Sequence, residues 1–352
     1  MYYVNNVIKS LNRVFDQNSR SGFLRLDLNE NPGGLPQEFI DTVLSEVTPE
    51  LVSKYPETDE FQHFLADKIG VEPDEICLTN GSAEAIRYAI ELFSRPKGKV
   101  VSVTPAYAMY EVFSLMYDRE FVPVSYSDKF KFDVNDIIDV LDESIDLLVV
   151  MNPNNPVGDS FSEEEICAIL DKSEECNINV IIDEAYYYFC PISFQKYAMS
   201  RDNVILTRTF SKLFSLAGCR LGYCIGKKEN VKLIQKMCTP HNVNAFALRF
   251  AQKIISTDGM LENLITKQLE GRAFLINELR AAGYNVNDSR GNFVFIETKR
   301  NAKVVQEELR KRKILVKHYS GFGYNDYIRV TTAEKKIMEQ FLVEFYDIEK
   351  NL

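Results

Sequence analysis

One lysine carries the strongest chemical suggestion in this chain. Lys212 follows the apolar run VILTRT and sits within Phe210-Ser211-Lys212-Leu213-Phe214. Apolar neighbours strip water from an ammonium, lower its pKa and favour the neutral amine that forms imines with carbonyl compounds. A lone lysine is usually a solvated surface residue. This one lies at a strand end, beside hydroxyls, and before the glycine-rich return LAGCRLGY, which tilts the balance toward chemistry. Within that return, Arg220 can meet an anion with a two-pronged guanidinium fork.

Three further clusters close apolar runs. After EICL comes TNGSAEAI, where Gly81, Ser82 and Ala83 open a helix whose free N–H groups and dipole suit a phosphate. An ordinary turn and helix cap is an equally open reading of that stretch. After LLVVM comes Asn152-Pro153-Asn154-Asn155-Pro156-Val157-Gly158. Proline and glycine fix a rigid turn there, but a turn has no need of three amides. After NVII comes Asp183-Glu184-Ala185-Tyr186. A carboxylate at the end of an apolar strand is desolvated, so Asp183 needs a cationic partner to stay ionised. A protonated pyridine nitrogen or an arginine would serve.

These residues need a scaffold that brings strand ends together. Short apolar runs at 75–79, 99–103, 146–151, 179–183, 203–208 and 220–225 alternate with loops and helical patterns. The run IDLLVVM lacks polar alternation, as a strand buried on both faces of a mostly parallel sheet must. In such α/β sheets ligands bind beyond the carboxyl ends of the strands, where every cluster above falls. Ser162 and Glu165 form a capping-box pattern that starts a helix. From about Gly283 the rhythm changes to strand, helix, two strands and a closing helix, a small α+β layer. The expected division is an N-terminal arm over 1–45 packing on the small domain, a large domain over 46–245 and the small domain over 246–352.

Composition narrows the function. With 41 basic against 51 acidic residues the net charge is −10, and no basic stripe exists to neutralise nucleic acid or an anionic membrane. Seven cysteines without a CxxC pair and three histidines without ligand spacing argue against a metal site. No signal peptide and no membrane-length apolar run stand out, so a reduced, cytoplasmic protein is expected. Nucleotide-binding loops of the GxGxxG or GxxxxGK[ST] type are missing from the expected places.

Taken in order, LNENP (28–32), TNGSAEAI, TPAYAMY, NPNNPVG, DEAYYYF and RTFSKLFSLAGCRLGY resemble fold-type I aminotransferases of the histidinol-phosphate aminotransferase family. The similarity runs from about Leu28 to the segment IRVTT at 328–332. It implies an aspartate aminotransferase-like fold, with a mostly parallel seven-stranded sheet between helices, and pyridoxal 5′-phosphate (PLP) as cofactor. It implies that Lys212 bonds the cofactor as a Schiff base and moves protons, and that Asp183 pairs with the pyridinium nitrogen. Asn155 and Tyr186 would contact the phenolic oxygen and Tyr107 the ring face. Gly81, Ser82, Ala83, Thr209, Ser211 and Arg220 would hold the phosphate. Asn31, Tyr55, Asn155, Lys317 and Arg329 would bind substrate, with Arg329 on the α-carboxylate. The family is homodimeric, and Tyr55 would reach the neighbouring subunit's site.

Two positions depart from the family pattern. Lys317 stands where an arginine usually helps hold a distal phosphate, and His241 precedes Asn242 where an apolar or aromatic residue is usual. A lysine keeps the charge but not the planar fork. A smaller phosphorylated or acidic amine fits these changes at least as well as histidinol phosphate. The expected activity is amino transfer between glutamate/2-oxoglutarate and a small, phosphorylated substrate. Decarboxylation of phosphoserine or phosphothreonine uses the same cofactor residues, and a non-catalytic relative is the third possibility.

Overall fold

The computed structural model describes residues 2, 4–11 and 19–352. Among them lie the strands β1 (Leu24–Arg25), β2 (Ile76–Thr79), β3 (Lys99–Thr104), β4 (Glu120–Ser125), β5 (Ile145–Met151) and β6 (Asn179–Asp183). They continue with β7 (Val204–Thr209), β8 (Gly222–Gly226), β9 (Phe293–Glu297), β10 (Ile314–Leu315), β11 (Lys317–His318) and β12 (Tyr327–Thr331). Seven form one sheet in the order β2-β8-β7-β6-β5-β3-β4. Only β8 runs against its neighbours, so the sheet is mostly parallel, as the alternation predicts. Every residue of β5 and β7 is buried, because helices cover both faces of these central strands.

Local chemistry explains the helix starts. Ser162 Oγ accepts from the Glu165 N–H at 3.2 Å while Glu165 Oε2 accepts from the Ser162 N–H at 2.7 Å, completing the expected capping box. The sequence reading did not name β4. Its run EFVPVS contains Pro123, which a sheet tolerates only at an edge or a bulge, and β4 is one of the sheet's two edge strands. The expected single strand ILVKHY is broken into β10 and β11, which belong to different sheets.

Among the described residues two large hydrophobic clusters and a small third one, around Val157, Phe295, Tyr324 and Tyr327, form the interior. Of the two large ones, the larger surrounds the seven-stranded sheet, and the smaller is built on β9 and β12 with the helices Ala302–Lys311 and Lys335–Asn351. Leu26 lies wholly within the smaller cluster, and β1 pairs in parallel with β10. Helix Ala245–Ser256 buries Ala247, Leu248, Ala251 and Ile254 in the larger one, beyond the junction expected at 245. Helix Met260–Ala281 crosses between them, with Met260 and Leu264 in the first and Leu275 and Leu279 in the second. Gly271 lets this helix touch the chain beside β12: a Cβ there would stand 1.7 Å from the Ala333 carbonyl oxygen. No helix among the described residues is long and apolar enough to cross a membrane.

Candidate active site

The carboxyl ends of β3, β5, β6 and β7 open into one cavity of about 750 Å³. Each strand end contributes chemistry: Tyr107 beyond β3, Asn155 beyond β5, Asp183 and Tyr186 at and beyond β6, and Thr209, Ser211 and Lys212 at and beyond β7. Lys317 on β11 and Arg329 on β12 line the same cavity. Sequence positions more than 200 residues apart therefore meet in one space, as the strand-end rule requires.

Within this cavity the Lys212 Nζ donates to the Leu28 carbonyl at 3.0 Å. Burial, aided by the nearby charges of Arg329 and Arg220, brings its pKa down to about 8. An appreciable fraction of neutral amine is thus present near neutral pH. Asp183 is 1% exposed, and burial pushes its carboxyl up to about 6 against the hydrogen bonds of Tyr110, the Ala185 N–H and Thr207, which favour the ionised form. Tyr110 donates to Oδ2 at 2.7 Å and the Ala185 N–H donates to Oδ1 at 3.0 Å. The sequence allowed an arginine as partner for Asp183. The buried guanidinium of Arg208 instead pairs with Glu184, 2.8 Å away on the other side of β6, and no salt bridge reaches Asp183 among the described residues.

An anion cradle occupies one end. Helix Ser82–Phe93 starts there, leaving the first-turn N–H groups of Ser82 and Ala83 without helical acceptors. The Thr209 and Ser211 hydroxyls are 2.9 Å apart, and Arg220 Nη1 approaches Ser211 Oγ at 3.4 Å. Two glycines keep the cradle open. Gly81 has φ +75° and a Cβ there would stand 2.5 Å from Arg220 Nη2; a Cβ on Gly222 would stand 2.4 Å from the Ser82 nitrogen.

On the other side Tyr186, 1% exposed, accepts from Asn29 Nδ2 at 2.7 Å, which leaves its own O–H to donate. Asn155 Oδ1 accepts from Arg329 Nη1 at 2.5 Å. Arg329 also donates to the Asp27 carbonyl at 2.7 Å, and its buried Nε has no partner. Tyr107 meets Tyr110 edge-on, with centroids 5.6 Å apart.

Two expected substrate residues lie elsewhere. Asn31 is turned away, donating to Ser215 Oγ at 2.6 Å and accepting from Gln268 Nε2 at 2.8 Å. Its neighbour Asn29 enters the cavity instead, held at φ +58°. Tyr55 is 78% exposed, lines a separate depression and stacks on His241 at 4.6 Å. Sequence reasoning missed Asn29, Tyr110 and Tyr319. Tyr110 carried a usable signal, because it stands three residues after Tyr107 and so on the same side of a starting helix.

The donor set fits PLP. An anion cradle, an unpaired buried carboxylate suited to a ring N–H, and a partly neutral lysine lie in one cavity. Fold and site define a PLP-dependent enzyme of fold type I. The chain matches the family Aminotransferase class I and II over residues 21–342. It is 34% identical over 315 residues to histidinol-phosphate aminotransferase of Thermoanaerobacter sp. (strain X514), covering 88% of each chain. Its fold matches that of histidinol-phosphate aminotransferase from Sinorhizobium meliloti in complex with PLP, with TM-score 0.90, 20% identity and 99% and 98% of the two chains covered. L-threonine-O-3-phosphate decarboxylase from Porphyromonas gingivalis shares the fold with TM-score 0.78, 22% identity and 93% and 100% coverage. This chain belongs to the class I and II aminotransferases, and it is a PLP-dependent aminotransferase.

Proposed function

We propose that the enzyme moves an amino group between glutamate/2-oxoglutarate and a small, phosphorylated amine or carbonyl compound of the histidinol-phosphate type. The observation that carries this reading is the pair of cations, Arg329 and Lys317, paired across β11–β12 and lining the same cavity as Lys212. The two carboxylates of glutamate/2-oxoglutarate match that pair, and the phosphate of a phosphorylated amine that lacks a carboxylate can take one of the same cations.

When bound, PLP supplies an electron-withdrawing ring that weakens the bonds at a substrate's Cα. The protein's own residues do the rest. Ser82, Ala83, Thr209, Ser211 and Arg220 hold the phosphate end, with Gly81 keeping the cradle clear. Asp183 accepts from the ring nitrogen, Tyr107 covers a ring face, and Asn155 and Tyr186 donate to the phenolic oxygen. Lys212 would bond the cofactor through Nζ, and its amine, when free, would be the group placed to move a proton at the substrate carbon. Arg329 grips the α-carboxylate and Lys317 the distal anion, while Asn29 takes the place expected of Asn31.

The working unit in this reading is a homodimer in a reducing cytoplasm. Tyr55 supports the first, being exposed and outside its own chain's cavity; the seven free cysteines support the second. The large domain starts near 46, and we place its junction with the small domain inside helix Met260–Ala281 rather than at 245.

Mixing the PLP-loaded protein with glutamate tests the reaction. The cofactor absorbance should move to the amine form with one 2-oxoglutarate released per site. The ketone derived from histidinol phosphate, or a smaller phosphorylated ketone, should then reverse it. No shift, together with CO2 release from phosphoserine or phosphothreonine, would overturn transamination in favour of decarboxylation.

A further inference from the structure

We propose that Tyr110 is a positioning residue for the cofactor site, its hydroxyl holding the Asp183 carboxylate ionised and aimed at the ring nitrogen of bound PLP. The inference rests on the reading of Asp183 as the ring-nitrogen partner.

Tyr110 is fully buried near the start of helix Met109–Met116, three residues beyond the ring-covering Tyr107. Its hydroxyl donates to Asp183 Oδ2 at 2.7 Å, while the other carboxylate oxygen is taken by the Ala185 N–H at 3.0 Å. Between them the two donors fix the carboxylate plane. A hydrogen bond to an ionised carboxylate favours that form, and the effect grows where water is excluded.

Tyr110 is the largest of the hydrogen-bonding influences that favour the ionised form, ahead of the Ala185 N–H and the Thr207 hydroxyl on the neighbouring strand β7. Lys212 and Tyr186 face Asp183 from β7 and from its own strand end, Tyr107 lies beyond Tyr110, and Glu184 points to the far side of the sheet toward Arg208. Glu184 adds repulsion, so no salt bridge offsets the cost of burying Asp183. Burial alone drives a carboxyl toward the neutral acid. A neutral Asp183 would lose its hold on a ring N–H. Tyr110 itself stays protonated, because burial and the adjacent carboxylate push its phenol well above 10. It is therefore a donor at every working pH.

The test is Tyr110→Phe, which removes one oxygen and keeps the ring that packs against Tyr107. PLP affinity of the full-length protein is measured by spectroscopic titration from pH 5.5 to 9. Loss of the donor is expected to weaken binding about tenfold at pH 7, with the acid limb of the affinity profile moved up by about one pH unit. The deficit should shrink toward pH 9, and adding Tyr110→Phe to Asp183→Asn should change nothing further. A profile that overlays wild type would overturn the proposal. Asp183→Asn alone separates two failures. If it binds PLP like wild type, the assignment of Asp183 is wrong; if it weakens binding while Tyr110→Phe does not, only the role of Tyr110 is wrong. Should Tyr110→Phe fail to fold, carboxyl ¹³C titration of Asp183 in the wild-type apoprotein decides the matter. A midpoint below about 7 supports the proposal, and one above about 8 overturns it.

Discussion

Lys317 stands directly across the β11–β12 ladder from Arg329, and both side chains line the same cavity wall. Like charges in that relation destabilise a ladder unless something anionic lies between or beyond them. Arg329 is 4% exposed with an unpartnered Nε, whereas Lys317 is open to solvent. The inner cation is therefore suited to an anion common to all substrates, and the outer to a distal group.

That difference predicts separate kinetic signatures. Lys317→Ala should raise KM for a phosphorylated amine about tenfold or more, with a smaller effect on the glutamate half-reaction. Arg329→Ala should damage both half-reactions. Lys317→Arg should retain or improve use of a phosphorylated substrate, because a planar fork replaces a point charge. Steady-state kinetics with each substrate varied in turn provides the check.

Asp183 predicts a conflict between stability and function. Its carboxyl is raised to about 6 in the folded protein from an ordinary 3.8. Between those values the folded state binds more protons than the unfolded one, so apoprotein stability falls as pH rises through the window. The penalty is complete above about pH 6 and is on the order of 3 kcal/mol. Asp183→Asn should therefore melt higher than wild type as apoprotein at pH 7.5, with the gain fading toward pH 4. Calorimetry of the two apoproteins measures it, and the same substitution should weaken PLP binding.

Lys212 predicts how cofactor capture depends on pH. With its amine lowered to about 8, the reactive neutral fraction rises roughly tenfold per pH unit below that value and levels off above it. Stopped-flow mixing of apoprotein with PLP should show covalent capture saturating above about pH 8. A rate still climbing at pH 10 would describe a solvated lysine instead.

Gly81 and Gly271 should fail in different ways. Gly81→Ala forces a side chain onto a φ of +75° and into the Arg220 guanidinium, so PLP affinity should drop about tenfold on top of a backbone strain of about 1–3 kcal/mol in the apoprotein. Gly271→Ala meets a backbone carbonyl that cannot step aside, and should cost about 1–3 kcal/mol of stability. Thermal melts with and without PLP distinguish them.

Most of the residues proposed for the cofactor stand out in the sequence because they follow the end of an apolar strand, where a side chain that is neither apolar nor part of a plain turn is conspicuous. Asp183 and Asn155 are of this kind. Substrate residues were harder. Asn29 and Asn31 occupy one short loop, and which of them enters the cavity is decided by the left-handed backbone at Asn29, which composition does not signal. Tyr110 was not singled out in the sequence, because its role depends on where its hydroxyl ends, a tertiary fact. The edge strand β4 was hidden by its proline. The helix at 245–256 carries the same amphipathic pattern whichever cluster it joins, so its place followed only from packing.

The central claim is that Lys212 is the lysine that bonds PLP. Borohydride reduction of the loaded protein, followed by digestion and mass spectrometry of the peptides, tests it most directly. The account predicts one reduced phosphopyridoxyl group per chain, on Lys212. The modification found on another lysine, or spread over several at low occupancy, would contradict it.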